Sequence, residues 1–325
     1  SVKTINESLH TFHKQKFNMC GYRAPKLETV RIGFIGIGNM GHFMAGHCLK
    51  AGYKVVISNT HAKEAVKKLS EMGAEEVNSN AEIGRQAERV FLCLPNGEVV
   101  KSVIDELITV QGSVVKEIYD FSTVGPMISQ ELGADGKERG YKYYDCPIAG
   151  GVAGAEAGTL SIMIGCADDE FEKVKEVVSP MGKSIMHAGP VGSGSAAKMF
   201  NNYLGGCDLV ACCEVMVMAK QLGMDVENLF EIINKSTGRN FASEMAIPGF
   251  LRHRDFTPKF ATDLFYKDIN IAMQTADRLK LPVNIGAATL QAFGAARAMG
   301  FGKEHSIAVV KYYESLAGVK VNEEE

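Results

Sequence analysis

From residue 30 onward the chain alternates short apolar runs with amphipathic stretches. The runs at 30–35, 55–57, 90–94, 117–121, 141–146 and 160–164 have the length and continuity of buried strands. Between them, stretches such as 61–72 and 99–109 repeat their apolar residues at helical spacing. Strands alternating with helices predict an α/β fold, a doubly wound parallel sheet covered on both faces. After about Pro190 the strand signals stop. The segment 195–222 is apolar, rich in small residues and long enough for a central helix. The segments 226–234, 260–279 and 284–299 continue the helical pattern, punctuated by Gly and Pro. The pattern therefore predicts a sheet domain over 30–190, an all-α C-terminal domain over 191–325, and an N-terminal extension over 1–29.

Composition adds mostly exclusions. A length of 325 residues suits two domains, and 46% apolar with 22% charged residues is ordinary for a globular chain. A net charge of −3 offers no basic surface, so no nucleic-acid partner is expected. No apolar run is read as approaching the ~18 residues of a membrane span, so no membrane partner is expected. The eight cysteines form no Cys-x-x-Cys pair, and most sit in apolar stretches. They read as buried thiols in a reducing compartment, and with scattered histidines no metal site is expected. The basic, aperiodic extension reads as an arm on the first domain, a partly removed transit peptide or an expression remnant. A cytoplasmic location is expected, or the mitochondrial matrix if the extension is a transit remnant.

The strongest local motif is Gly36-Ile37-Gly38-Asn39-Met40-Gly41, which follows the first strand and opens a helix. In that context it is a dinucleotide-binding turn. Gly36 makes the tight turn, Gly38 lets backbone approach a pyrophosphate, and Gly41 lets helix and strand pack closely. The phosphates then meet the free N–H groups of the helix N-terminus. The second strand ends in Ser58-Asn59-Thr60-His61, with Lys63 nearby. An acid there would bind a ribose 2′-hydroxyl and repel a 2′-phosphate. Asn59 is neutral, and Thr60, His61 and Lys63 suit a phosphate, so NADP is favoured over NAD. Leu94-Pro95-Asn96 and Ser122-Thr123 end the third and fourth strands, at the sheet edge where such folds bind ligands. Leu94, Pro95 and Thr123 are thus cofactor candidates, Thr123 also a substrate candidate, although Ser-Thr before Gly-Pro is equally plain turn chemistry.

Four motifs, in order, resemble the β-hydroxyacid dehydrogenase family, which includes 3-hydroxyisobutyrate and 2-(hydroxymethyl)glutarate dehydrogenases and tartronate semialdehyde reductase. They run from Phe34 to Gly41, from Asp145 to Gly151, from Gly192 through Lys198 to Asn202, and across Lys267-Asp268. The segment 154–160 also fits, and the likeness spans 30–321. It implies a Rossmann domain joined to a helical domain through a long helix, with the active site in the cleft between them. It implies hydride transfer between NAD(P) and a small β-hydroxy acid or semialdehyde, with Lys198 moving the proton. That chemistry is sound, because a partly buried lysine has a lowered pKa and its ammonium stabilises a developing alkoxide. Asn202, four residues on, shares its helix face and would hold the lysine or a substrate oxygen. Gly150 and Gly151 would present backbone N–H groups to the substrate carboxylate. Ala149 departs from the serine common in the family, which removes a hydroxyl donor and puts the exact substrate in doubt. Lys267 resembles a second lysine near the cofactor, and Arg239 and Asn240 are weaker cleft candidates. The family implies a homodimer or homotetramer formed through the helical domain. Two other readings stand beside this one. A catalytically silent NAD(P)-binding module, or an imine-reductase-like enzyme, would share the architecture; such proteins generally lack the lysine, so Lys198 counts against both.

Overall fold

The computed structural model describes residues 30–58 and 62–322; the extension over 1–29 lies outside them. The first half runs β1 (Arg31–Ile35), α1 (Gly41–Lys50), β2 (Lys54–Ser58), α2 (Lys63–Glu71), β3 (Glu75–Val77), α3 (Asn80–Gln86) and β4 (Arg89–Leu92). It continues through α4 (Gly97–Thr109), β5 (Glu117–Asp120), α5 (Pro126–Arg139) and β6 (Lys142–Asp145). These six strands are parallel, in the order β3-β2-β1-β4-β5-β6. The sheet then extends through β7 (Ile148–Ala149), α6 (Gly151–Ala157), β8 (Leu160–Gly165), α7 (Phe171–Val178) and β9 (Gly182–Gly189). Strand β8 is antiparallel to β6 and β7, and β9 pairs parallel with β8.

Period-2 alternation sends successive residues of each strand into different cores. Ile32, Phe34, Phe91 and Tyr119 join Met44 and Leu69 on one face. Ile35, Val90, Leu92 and Ile118 join Ile104, Leu107 and Leu132 on the other. With both faces covered, the central strands are apolar throughout, as a doubly wound sheet requires.

After Gly189 the described chain is helical: α8 (Ser193–Gln221), α9 (Val226–Asn234), α10 (Ile247–His253), α11 (Thr262–Arg278), α12 (Asn284–Ala296) and α13 (Val310–Ala317). These helices bury a third core, including Leu209, Cys213, Met216, Ile269 and Phe293. Helix α8 begins against the sheet. A side chain at Gly194 would meet the carbonyls of Met163 and Asp145, so glycine permits this close seat. Contrary to the expectation from apolar run length, the 29-residue α8 is long and apolar enough to span a bilayer. Its apolar positions Leu209, Val210, Cys213, Met216 and Val217 are instead packed inside the helical core.

All six expected strands are present, with ends shifted by a residue or two. Three strands were not anticipated: β3, β7 and β9. The expected helix over 284–299 ends at Ala296 and passes into a wider turn, Arg297–Phe301, where Gly300 takes φ 94°.

Candidate active site

Each glycine of the first turn has a distinct reason. Gly36 sits at φ 99°, and a side chain there would run into the Cys93 carbonyl on the neighbouring strand. A side chain at Gly41 would run into the Gly36 carbonyl, so the start of α1 could not close onto the turn. Gly38 faces nothing within 4 Å. That open space lies at the N-terminus of a ten-residue helix with no acid in its first turn and no capping side chain. These features fit a dinucleotide pyrophosphate. Ile37 is buried in the core, so its side chain is committed to packing, while Asn39 is exposed and Met40 half-buried. The candidates Asn59, Thr60 and His61 lie outside the described residues.

The ends of β4 and β5 are tied together, because the Leu94 N–H donates to Ser122 Oγ at 2.8 Å. Pro95 is exposed, and Asn96 caps α4 by accepting from the Val99 N–H at 2.9 Å. Thr123 is half-buried, and its carbonyl accepts from Lys267 Nζ at 3.0 Å, across the joint between sheet and helices. A cavity of about 360 Å³ opens here, lined by Asn96, Thr123, Met127, Lys267, Gln274 and neighbours from α4, α5 and α11.

Lys198 stands in the second turn of α8 and is half-buried. Burial pushes its ammonium below the ordinary lysine range; the Asp268 carboxylate opposes this and the Lys267 ammonium adds to it. One turn on, Asn202 is buried and its Nδ2 donates to Asp268 Oδ2 at 2.6 Å. The other carboxylate oxygen, Asp268 Oδ1, lies 3.0 Å from Lys267 Nζ and has no aligned hydrogen-bond donor. The structure thus gathers Lys198, Asn202, Lys267 and Asp268 from α8 and α11 into one cluster. Asp268 was quoted in the sequence motif without a role. It is the shared anion of the cluster, and its place beside Lys267 was the available signal.

The start of α8 is fixed by Asp145, the first residue of the second family motif. Its buried carboxylate accepts from the Gly192 N–H at 2.8 Å and the Ser195 N–H at 2.7 Å. A side chain at Gly165 would collide with that carboxylate. From Asp145 the chain passes directly to Ala149, half-buried, and to Gly150 and Gly151, exposed at φ 128° and 62°. Arg239 is exposed and pairs with Glu244 at 3.5 Å. Asn240 exchanges hydrogen bonds with Ser243 at 2.9 Å, so both weaker candidates have local partners.

Comparison with known proteins bears on the family and the fold. Residues 31–189 match the family described as the NAD binding domain of 6-phosphogluconate dehydrogenase. Residues 192–313 match that described as NAD-binding of NADP-dependent 3-hydroxyisobutyrate dehydrogenase. The chain is 36% identical to 2-(hydroxymethyl)glutarate dehydrogenase of Eubacterium barkeri, over 91% of this chain and 98% of that one. It is 35% identical to a mitochondrial 3-hydroxyisobutyrate dehydrogenase of Drosophila melanogaster, over 79% and 81% of the two chains. The fold matches a Mycobacterium tuberculosis 3-hydroxyisobutyrate dehydrogenase structure with L-serine. That match has a TM-score of 0.80 and 28% identity, and it covers 87% of this chain and 99% of the other. A Rossmann turn built to take a dinucleotide, a helical half carrying the lysine cluster, and these likenesses together place the chain in the β-hydroxyacid dehydrogenase family, as an NAD(P)-dependent oxidoreductase acting on CH–OH groups.

Proposed function

We propose that Lys198 is the catalytic acid and base, acting in a cleft between a dinucleotide-binding domain over 30–190 and a helical domain over 191–325. The observation that carries this reading is the half-buried Lys198, its ammonium destabilised by desolvation, one helical turn from Asn202. The bound dinucleotide supplies or accepts the hydride. In the oxidation direction, neutral Lys198 Nζ takes the hydroxyl proton as the C–H hydride leaves. In reduction, its ammonium returns that proton to the developing alkoxide. Asn202 orients the lysine or a substrate oxygen, and Asp268 holds Asn202. Gly150 and Gly151 take the substrate carboxylate on backbone N–H groups, with Ala149 leaving a more apolar wall than a serine would. Thr123 and Lys267 face the nicotinamide end of the cofactor.

The substrate class we favour is a β-hydroxy acid such as 3-hydroxyisobutyrate or 2-(hydroxymethyl)glutarate, named after the chain's relatives. NADP is favoured over NAD, because the neutral Asn59 places no charge against a 2′-phosphate. Association through the helical domain is supported by Leu204 and Met218, exposed on one face of α8, and by Leu222, exposed just past its end. A reducing compartment is supported by Cys48, Cys146, Cys166 and Cys213, all buried free thiols.

The test is NADPH and NADH oxidation with the semialdehydes of methylmalonate, tartronate, succinate and 2-formylglutarate, comparing Lys198→Ala with wild type. A fall of ~10²-fold or more in kcat for any semialdehyde supports the assignment. Turnover that survives the substitution removes Lys198 from the mechanism.

A further inference from the structure

His47 lies outside every motif that points to the site, yet it joins two elements of it. It stands in the last turn of α1, the helix whose first residue closes the dinucleotide turn. Its Nε2 lies 3.0 Å from the carbonyls of both Ala155 and Glu156, residues 108 and 109 positions away in the sequence. Both partners only accept, so Nε2 carries the proton and donates to the two oxygens. Those carbonyls belong to the last turn of α6, where a helix leaves acceptors without intrahelical partners. Helix α6 ends at Gly158, which takes the left-handed conformation at φ 66°. A side chain there would come within 2.9 Å of His47 Cε1. Glycine is therefore demanded twice at 158, once by the backbone and once by the imidazole.

Helix α6 is the continuation of Gly150-Gly151. It is only seven residues long and has one buried residue, Ala155. So short and exposed a helix gains little from its own hydrogen bonds or from packing, and its position depends on what holds its ends. One end follows the substrate segment, and the other is tied to the cofactor helix by the His47 imidazole.

We propose that His47 is a positioning residue that couples dinucleotide binding on α1 to the order of the substrate-binding segment 150–158. The proposal rests on the reading of Gly150-Gly151 as the carboxylate site. Ordering α1 by a pyrophosphate at its N-terminus fixes His47, which in turn fixes α6 and the glycine pair ahead of it. Substrate binding to a pre-ordered segment is tighter, because the ordering cost has already been met by the cofactor.

The experiment is amide hydrogen exchange over residues 150–158 with and without saturating NADPH, in wild type, His47→Leu and His47→Gln, alongside the dissociation constant for NADPH. In wild type, NADPH is expected to slow exchange in this segment severalfold. His47→Leu is expected to lose that protection while binding NADPH within about twofold of wild type, and His47→Gln, which keeps a donor, to recover most of it. If the segment is protected equally in wild type and His47→Leu, or is unprotected in wild type, the coupling is overturned. A companion measurement separates this from the carboxylate reading. For 3-hydroxyisobutyrate and its methyl ester as competing ligands of the NADPH-loaded protein, wild type should prefer the acid by about tenfold, and His47→Leu should lose most of that preference. A wild type that does not distinguish acid from ester refutes the carboxylate site; a wild type that does, with His47→Leu preserving the full preference, refutes only the role of His47.

Discussion

Asp268 is the residue through which the lysine cluster is tuned. Its carboxylate raises the Lys198 pKa against the lowering by burial, and it accepts from the Asn202 amide. An Asp268→Asn variant keeps an oxygen for Asn202 and removes the charge. Lys198 should then lose its proton at lower pH, and the rising limb of kcat/KM for alcohol oxidation should move down by roughly one pH unit. An unmoved limb, measured between pH 6 and 10, would separate Asp268 from the titration of Lys198. The dinucleotide turn allows an equally direct contrast. Gly38 has free space around it, so Gly38→Ala should fold normally and weaken dinucleotide binding by tenfold or more. Gly36→Ala places a side chain at φ 99° against the Cys93 carbonyl, so it should lower the melting temperature as well. At this scale much of the site was legible in the sequence. Lys198, Asn202 and Lys267 were each named from a motif, and they come together because α8 and α11 carry them on facing surfaces. Asp268 was visible only as part of a motif, since partnership between residues 66 positions apart is a product of helix packing and leaves no local pattern. Within the consecutive motif the side chain of Ile37 belongs to the core, which leaves its backbone to face a dinucleotide.

At the scale of elements, α8 is held by the carboxylate of Asp145 on β6. The two N–H groups at its start would otherwise be buried without acceptors, and they sit where the helix dipole favours negative charge. Asp145→Ala should cost about 2–3 kcal/mol of stability, read from denaturant midpoints, and should lower kcat more than it raises KM, because Lys198 stands one turn further along the helix it holds. The neighbouring strand carries a second buried acid in register, Asp120, which accepts from the Ser122 N–H at 2.9 Å and the Tyr143 hydroxyl at 2.8 Å. Burial pushes Asp120 up from 3.8 to about 6, against the hydrogen bonds that lower it. Between those values the folded protein holds more protons than the unfolded chain, so the contribution of Asp120 to stability falls as pH rises through that window. Asp120→Asn should remove this decline. The melting-temperature difference between variant and wild type should shift in the variant's favour from pH 4 to pH 7, and a constant difference would contradict the raised pKa. The strands that the sequence did not reveal have physical reasons. In β3 only Val77 of three residues is buried, and β7 has only two residues, too few to show a period. In β9 no residue is fully buried, so its apolar and polar positions are weakly separated. The core strands were legible because both their faces are covered, and an edge strand has no such constraint.

At the scale of the whole molecule, α11 joins the helical half to the sheet by three contacts along one face. Lys267 donates to the Thr123 carbonyl, Ile271 rests against Gly125 one turn later, and Arg278 approaches Glu131 at 3.8 Å. The last pair is exposed at both ends and contributes little. The first two contacts are buried deeper, and Gly125 is the tightest point. It sits at φ 88°, and a side chain there would come within 2.5 Å of Ile271 Cγ2. Gly125→Ala therefore carries two separable penalties. One is backbone strain of about 1–3 kcal/mol at φ 88° and ψ 158°, which no neighbouring change can relieve. The other is a push on α11 that would draw Lys267 away from Thr123 and shift Asp268 relative to Lys198. Adding Ile271→Ala makes room for the new methyl group and relieves only the second. The expected result is a kcat at least tenfold lower in Gly125→Ala, largely restored in the double variant, while the loss of melting temperature persists in both. If the double variant is no more active than the single one, the spacing across this joint does not govern the chemistry. The Lys198 cluster would then have to be positioned by α8 and its Asp145 cap alone.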